Sequence, residues 1–302
     1  MNTSTTQPLI TSWFWATRPF SLSASVSPVL VGTAAAASVV SIDWLLFALA
    51  LTGSIAIQIG TNLADEYADH RKHGGTGKFL APHKVIQRGL LSERAVLLGL
   101  IAFFGYGIVA GLYITAEVGW PVLAVGLAAV AVAYFYSGGP YPLGNLGLGE
   151  PLVFLFMGPV MVMASFYVQA QDVTLASFVA SLPVACIVTA ILHCNNLRDV
   201  EEDRAAGKRS IAAWIGPGPS QWLYAGLLAA AFIAIVAGAA AGALGMGALL
   251  ALLAGPRAAG AVRRLFAAKD RRDMNMLMVR SAKLHGWTGV LLAAGLALNA
   301  AL

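Results

Sequence analysis

The stretch LASFVASLPVACIVTAILHCNN, residues 175–196, runs straight into LRDVEEDRAAGKR, residues 197–209. The first part carries no charge over a length that matches the roughly 20 apolar residues needed to cross a bilayer. The second part carries four acids, Asp199, Glu201, Glu202 and Asp203, and four bases, Arg198, Arg204, Lys208 and Arg209. A water-soluble helix distributes its charges along one face; here they collect at one end of an apolar rod. That pattern describes a helix that crosses a membrane and surfaces in a dense cluster of charge. Ionisable groups beside hydrocarbon are costly and mark function.

The rest of the chain repeats the pattern. Of its 302 residues 58% are hydrophobic and 11% charged, with 32 glycines besides. An ordinary soluble domain is about 25% charged, so a water-soluble fold, a disordered chain and a disulfide scaffold are all excluded. Apolar runs at 20–39, 43–64, 95–114, 119–137, 151–170, 175–196, 219–240, 243–259 and 284–302 predict an all-α polytopic membrane protein. Residues 1–302 read as a single integral-membrane domain built on a bundle of about nine transmembrane helices. The eighth run is the weakest, being short and interrupted at Gly255-Pro256. With nine spans, all 19 Lys and Arg fall in segments on one side, and the loops near Asp43, Glu117, Asp172 and Gly242 hold none. The positive-inside rule then places the N-terminus and the charged loops in the cytoplasm. The net charge of +5 thus reports orientation, and no nucleic-acid partner is expected. Cys186 and Cys194 share one apolar run without metal-site spacing and read as reduced core residues.

The acids form two groups on that same side. Asn62, Asp65, Glu66 and Asp69 lie three and four apart, on one face of a helix leaving the membrane. Asp199 and Asp203 repeat the spacing after the sixth span, behind Asn195, Asn196 and Arg198 and ahead of Lys208. Carboxylates with basic residues close behind suit Mg²⁺ and a polyphosphate: the ion takes one or two carboxylates and fills its shell with water and phosphate oxygens, and the bases meet the remaining phosphate charge. Simple pairing with Arg71, Lys72, Arg198 and Arg204 at the lipid headgroups accounts for one such group more readily than for two. A transporter would place its ionisable residues at the bilayer midplane, which is nearly empty of them here.

Three segments resemble the UbiA superfamily of intramembrane aromatic prenyltransferases: Arg18 to Gly32, Tyr136 to Glu150, and Asn195-Asn196-x-Arg198-Asp199-x-x-x-Asp203-x-x-x-Gly207-Lys208. The likeness covers almost the whole chain and is nearest to the members that act on 1,4-dihydroxy-2-naphthoate in menaquinone synthesis. The first acidic motif departs from the superfamily's Asn-Asp-x-x-Asp, reading Asp65-Glu66-Tyr67-Ala68-Asp69. Charge is kept, the choice between Asp65 and Glu66 as metal ligand stays open, and Asn62 stands where it could replace the missing amide.

The resemblance implies Mg²⁺ as cofactor, held by Asp65, Glu66, Asp69, Asp199 and Asp203. It implies a polyprenyl diphosphate and an aromatic acceptor as partners, with Asn62, Lys84, Tyr136, Asn195, Asn196, Arg198 and Lys208 binding substrate and Lys78 a further phosphate contact. The bilayer encloses the prenyl tail. Asp65, Asp69, Asp199 and Asp203 are the expected catalytic carboxylates. The implied location is a bacterial inner (plasma) membrane with the site facing the cytoplasm; oligomeric state is not implied. Tyr134, Tyr136 and Tyr141 fit either shielding of an allylic cation or an interfacial aromatic belt. His193 reads as a satisfied core residue, and the basic run from Arg257 to Lys283 as a contact with anionic lipid.

Overall fold

The computed structural model describes residues 8–73, 84–137 and 142–301. Among the described residues there are helices and turns and no strand. The helices are α1 (Leu9–Ala16), α2 (Ser23–Ala36), α3 (Trp44–His73), α4 (Glu93–Val118), α5 (Trp120–Ser137), α6 (Gly149–Leu155), α7 (Met161–Ala170), α8 (Leu175–Arg198), α9 (Val200–Ala205), α10 (Ile211–Ile215), α11 (Pro217–Ala240), α12 (Gly255–Ala267) and α13 (Arg271–Ala301). Among the described residues six segments are long and apolar enough to cross a membrane alone, and the pair Leu9–Ser21 and Ser23–Ala36, bent by 57°, brings the number to as many as seven.

Each of the nine expected runs is helical, but three are weaker than expected, for local reasons. In the first, the chain turns at Arg18, whose φ of 50° breaks the helix and leaves α2 with 14 residues. At 1.5 Å per residue that is shorter than a bilayer core. In the fourth, the apolar stretch of α5 is short, Trp120–Tyr136. In the eighth, Met246–Ala254 is a 3₁₀-helix and α12 begins at Gly255 with Pro256 in its first turn. Proline lacks the N–H that would continue the preceding helix, so it starts a new one. The narrow 3₁₀ rod lies tight against α13: a Cβ on Gly295 would fall 2.0 Å from the Gly247 carbonyl oxygen. The Asn299 side chain fastens the contact, accepting from Gly247 N and donating to Leu244 O.

At the centre stands α8, packed against α2, α6, α11 and α13. Thr174 and Ser177 form a reciprocal capping box at its start, satisfying backbone donors that nothing within the helix could meet. Its small residues Ala180, Ala185 and Ala190 are fully buried, which suits close helix packing in lipid. Pro159, within an expected span, sits in a π-helical turn, Phe156–Val160, between α6 and α7; the wider turn absorbs the missing backbone donor. By contrast α4 and α5 expose Ile101, Ile108, Val109, Leu112, Leu127 and Val130. Apolar surface this extensive is stable only against lipid, as befits an integral membrane protein.

The charges gather where helix ends meet. Arg71, near the end of α3, pairs with Glu93 at the start of α4 at 3.1 Å. Arg271, at the start of α13, pairs with Asp199 at the end of α8 at 2.7 Å.

Candidate active site

The first acidic group is assembled from three chain segments. Val85, Ile86 and Leu91 are buried in one apolar cluster with Leu63 of α3, which presses the segment after Lys84 onto the helix. The Ile86 backbone N–H therefore donates to Glu66 Oε1 at 3.0 Å. Lys84 Nζ lies 3.6 Å from Glu66 Oε2 and donates to Asp69. Arg18 Nη1 reaches Asp65 Oδ2 at 3.3 Å from the turn before α2. Asn62 gives both amide hydrogens to that turn, to Thr17 O at 2.8 Å and Ser21 Oγ at 2.9 Å. The carboxylates differ in setting: Glu66 is 1% exposed and locked, whereas the Asp65 and Asp69 side chains are 58% and 46% exposed.

The second group surrounds the end of α8. Arg198 holds Asp199 through Nε at 2.8 Å and Nη2 at 2.5 Å. The same Nη2 donates to Asn195 Oδ1 and Nη1 to Asn275 Oδ1, both at 2.7 Å. Arg271 adds a second cation to Asp199 and also binds Glu202. One turn on, Asp203 accepts from Ser210 Oγ at 3.1 Å and pairs with Lys208 at 3.1 Å. Lys208 follows Gly207, whose φ of 70° turns the chain back, and the Lys208 N–H closes that turn on Asp203 O at 2.8 Å.

Behind this group lies a buried polar chain. Glu150, at the start of α6, accepts at Oε1 from Asn196 Nδ2 at 3.0 Å and contacts His193 Nδ1 at 3.0 Å. His193 Nε2 in turn meets Ser220 O at 3.1 Å. The ring of Tyr136 closes over this corner: a Cβ on Gly149 would lie 3.2 Å from its hydroxyl. Tyr134 is 64% exposed and stacks edge-on with Phe135, a setting suited to the interfacial belt. Tyr141 and Lys78 lie outside the described residues.

Thus every expected metal-binding carboxylate already holds a cation: Arg18 for Asp65, Lys84 for Glu66 and Asp69, Arg198 and Arg271 for Asp199, and Lys208 for Asp203. Such an array can exchange its partners for a polyanion and a divalent cation with little change in net charge. Residues 25–298 match the UbiA prenyltransferase family. This chain belongs to the UbiA prenyltransferase family. It is 33% identical over 283 residues to the 1,4-dihydroxy-2-naphthoate octaprenyltransferase of Bacillus subtilis (strain 168), a match covering 94% of this chain and 91% of that protein. Its fold is similar to the apo structure of a UbiA homolog from Aeropyrum pernix K1, with TM-score 0.60 and 18% identity over 91% of this chain and 97% of that one. A UbiA homolog from Archaeoglobus fulgidus, solved with DMAPP and Mg²⁺, gives TM-score 0.50 and 15% identity over 93% and 99%.

The oxygen-rich donor set of the two acidic groups fits a hard divalent cation. Among the described residues no three His, Cys, Asp or Glu side chains converge into a ready-made metal cage. Mg²⁺ needs none, since it keeps several waters and shares phosphate oxygens. The half-exposed Asp65 and Asp69, one helical turn apart on α3, and Asp199 just past the end of α8 could hold such an ion. Sequence reasoning missed two site residues. Arg271 falls in the basic run assigned to lipid, yet it contacts Asp199 and Glu202. Glu150 enters the sequence reading only as the end of a motif; a carboxylate opening an apolar span is the signal that could have found it.

Proposed function

We propose that this UbiA prenyltransferase transfers a polyprenyl group from an isoprenyl diphosphate to 1,4-dihydroxy-2-naphthoate, with loss of CO₂ and diphosphate, giving the demethylmenaquinol that a separate two-electron oxidation turns into demethylmenaquinone. The observation that carries the reading is the pairing of each candidate carboxylate with a cation, across the turn before α2, the end of α3, the end of α8, α9 and the start of α13; the likeness to the Bacillus subtilis enzyme supports the choice of acceptor. We place the site on the cytoplasmic side of a bacterial plasma membrane, because all 19 basic residues fall on one side of the expected spans.

Bound Mg²⁺ supplies charge that stabilises the departing diphosphate, and Asp65, Asp69, Asp199 and Asp203, with Glu66 as the buried alternative to Asp65, are the groups to hold it. Arg18, Lys84, Arg198, Lys208 and Arg271 exchange their carboxylates for phosphate oxygens as substrate enters. They then face the oxygens on which negative charge grows as the allylic C–O bond breaks, and that is where preorganised cations lower a barrier most. The electron pair leaves with diphosphate. The ring carbon bearing the carboxylate forms the new C–C bond, and loss of CO₂ returns an electron pair to the ring. The ring is itself the nucleophile, so no protein nucleophile is required, and no proton need be removed from that carbon. Tyr136 lines the corner where Asn196 and Glu150 meet, suited to hold the acceptor or face the cation.

Purified protein in lipid nanodiscs, given Mg²⁺, a radiolabelled polyprenyl diphosphate and a panel of aromatic acids, tests this. Prenylated, decarboxylated naphthoquinol with release of ¹⁴CO₂ from carboxyl-labelled acceptor is the expected product. Transfer to 4-hydroxybenzoate alone overturns the choice of acceptor.

A further inference from the structure

Asparagine side chains are ambiguous in most sites because either end can face a ligand. Here the neighbours remove the ambiguity. Ser220 O can only accept, so His193 Nε2 carries a proton, and the Nδ1 to Glu150 contact shares a second one between imidazole and carboxyl. With that proton on either partner, Glu150 Oε1 still accepts from Asn196, which commits Asn196 Nδ2 to Glu150. Asn196 is 4% exposed, and its Oδ1 has no partner among the described residues. Next to it the constraint is reversed. Arg198 only donates, so Asn195 Oδ1 is committed to its Nη2, and among the described residues the Asn195 amide N–H groups are left free.

We propose that Glu150 and His193 are positioning residues that lock Asn196 with its carbonyl oxygen toward the acceptor, to receive a ring hydroxyl's hydrogen bond, while Arg198 locks Asn195 with its N–H toward the diphosphate. This rests on the reading of the asparagine pair as substrate-facing. An acceptor held through a donated O–H is richer in electrons at the ring, which favours attack on the allylic carbon. A naphthoate whose ring hydroxyl is O-methylated cannot make this bond.

The network predicts its own reversal. In Glu150→Gln, an amide nitrogen at the Oε1 position would donate to His193 Nδ1 but oppose the Asn196 N–H, so the Asn196 amide turns over and loses its acceptor face. Asn196→Asp alone sets two carboxyl groups together. In the double variant, the introduced glutamine can donate one hydrogen to His193 and one to the introduced aspartate, whose other oxygen still faces the acceptor. Full-length protein in nanodiscs, with Mg²⁺ present, should then show an acceptor KM raised about tenfold in each single variant. Affinity for a non-reactive isoprenyl thiodiphosphate should stay within about twofold, and the double variant should recover at least about threefold in acceptor KM. A Glu150→Gln enzyme with wild-type acceptor KM, or a double variant no better than the poorer single, overturns the proposal. If Glu150→Gln alone does not fold, the double variant decides: folded and active supports the reversal, unfolded overturns it. Thermal melting of the four proteins without substrate gives the same cycle independently. Positive coupling there with no naphthoate turnover by wild type would sink the functional reading while keeping the amide assignment.

Discussion

Arg18 Nη1 donates to Asp65 Oδ2 at 3.3 Å from a backbone held at φ 50° and ψ 64°. Left-handed backbone costs a residue with a Cβ roughly 1–2 kcal/mol, so the turn is maintained by its surroundings. Asn62 binds Thr17 O and Ser21 Oγ on either side of it, and Ser21 Oγ donates to Arg18 O at 2.9 Å. Strain of this kind concentrates at functional sites, and here its effect is to aim a guanidinium at the first acidic group.

Arg18→Gly separates fold from function. Glycine accepts this φ freely, and the ion pair it removes is half-exposed on the aspartate side and contributes at most about 1 kcal/mol. Thermal stability in detergent should therefore stay equal to wild type or rise slightly. Turnover should fall at least about tenfold, since one of the cations facing the diphosphate is lost. A variant that melts early but keeps its activity would assign Arg18 to the fold alone.

Glu66 and Lys84 form the most deeply set ion pair of the first group. Lys84→Met leaves the Glu66 carboxylate, 1% exposed, with the Ile86 N–H as its one hydrogen-bond donor among the described residues. Stranding a buried charge costs about 3 kcal/mol or more, so the melting temperature should drop by several degrees. Glu66→Gln in the same chain keeps an acceptor for Ile86 and removes the charge. The double variant should therefore melt closer to wild type than Lys84→Met does, and additive losses would show that the two side chains are not coupled.

Much of the fold could be read from the sequence because apolar length is a local property. Helix is found at each of the nine runs, and the interruption at Gly255-Pro256 falls where the 3₁₀-helix gives way to α12. The site was only half legible. The spacing of Asp65 and Asp69 announces a shared face, but nothing local says that Asn62 will spend its amide on Thr17, 45 residues earlier. Arg271 reaches Asp199 across 72 residues and Asn196 reaches Glu150 across 46; pairings at that distance follow from helix packing, which periodicity does not encode. Helix α1 also escaped notice, being too short to register as a span.

The orientation has its own test. Glu201 is exposed on α9 beside the second acidic group, and Asp172 is exposed in the turn between α7 and α8, at the opposite end of α8. Native Cys186 and Cys194 are both buried and should react slowly. In inside-out bacterial membrane vesicles, a cysteine replacing Glu201 should label with a charged maleimide, and one replacing Asp172 should not until the membrane is opened. The converse pattern would put the charged helix ends outside the cell and contradict a cytoplasmic site.

Asp69 and Asp199 carry the last expectation. Both lie at helix ends, outside the apolar core, and each is bound to cations on flexible side chains. Asp69→Asn or Asp199→Asn should therefore leave melting within a few degrees of wild type; their ion pairs are worth of order 1 kcal/mol to the fold. Catalysis is another matter. A carboxylate that holds Mg²⁺ against the diphosphate acts where charge develops, and removing such a group costs about a hundredfold or more in kcat. The loss should lessen as Mg²⁺ is raised if Asp199 serves mainly to recruit the ion. It should be indifferent to Mg²⁺ if Asp199 instead orients Arg198 and Arg271. Arg271→Gln distinguishes these further: without the second cation, KM for the prenyl diphosphate should rise several-fold at low ionic strength and the difference should shrink with added salt. Full activity in Asp199→Asn at every Mg²⁺ concentration would remove the second acidic group from the reaction.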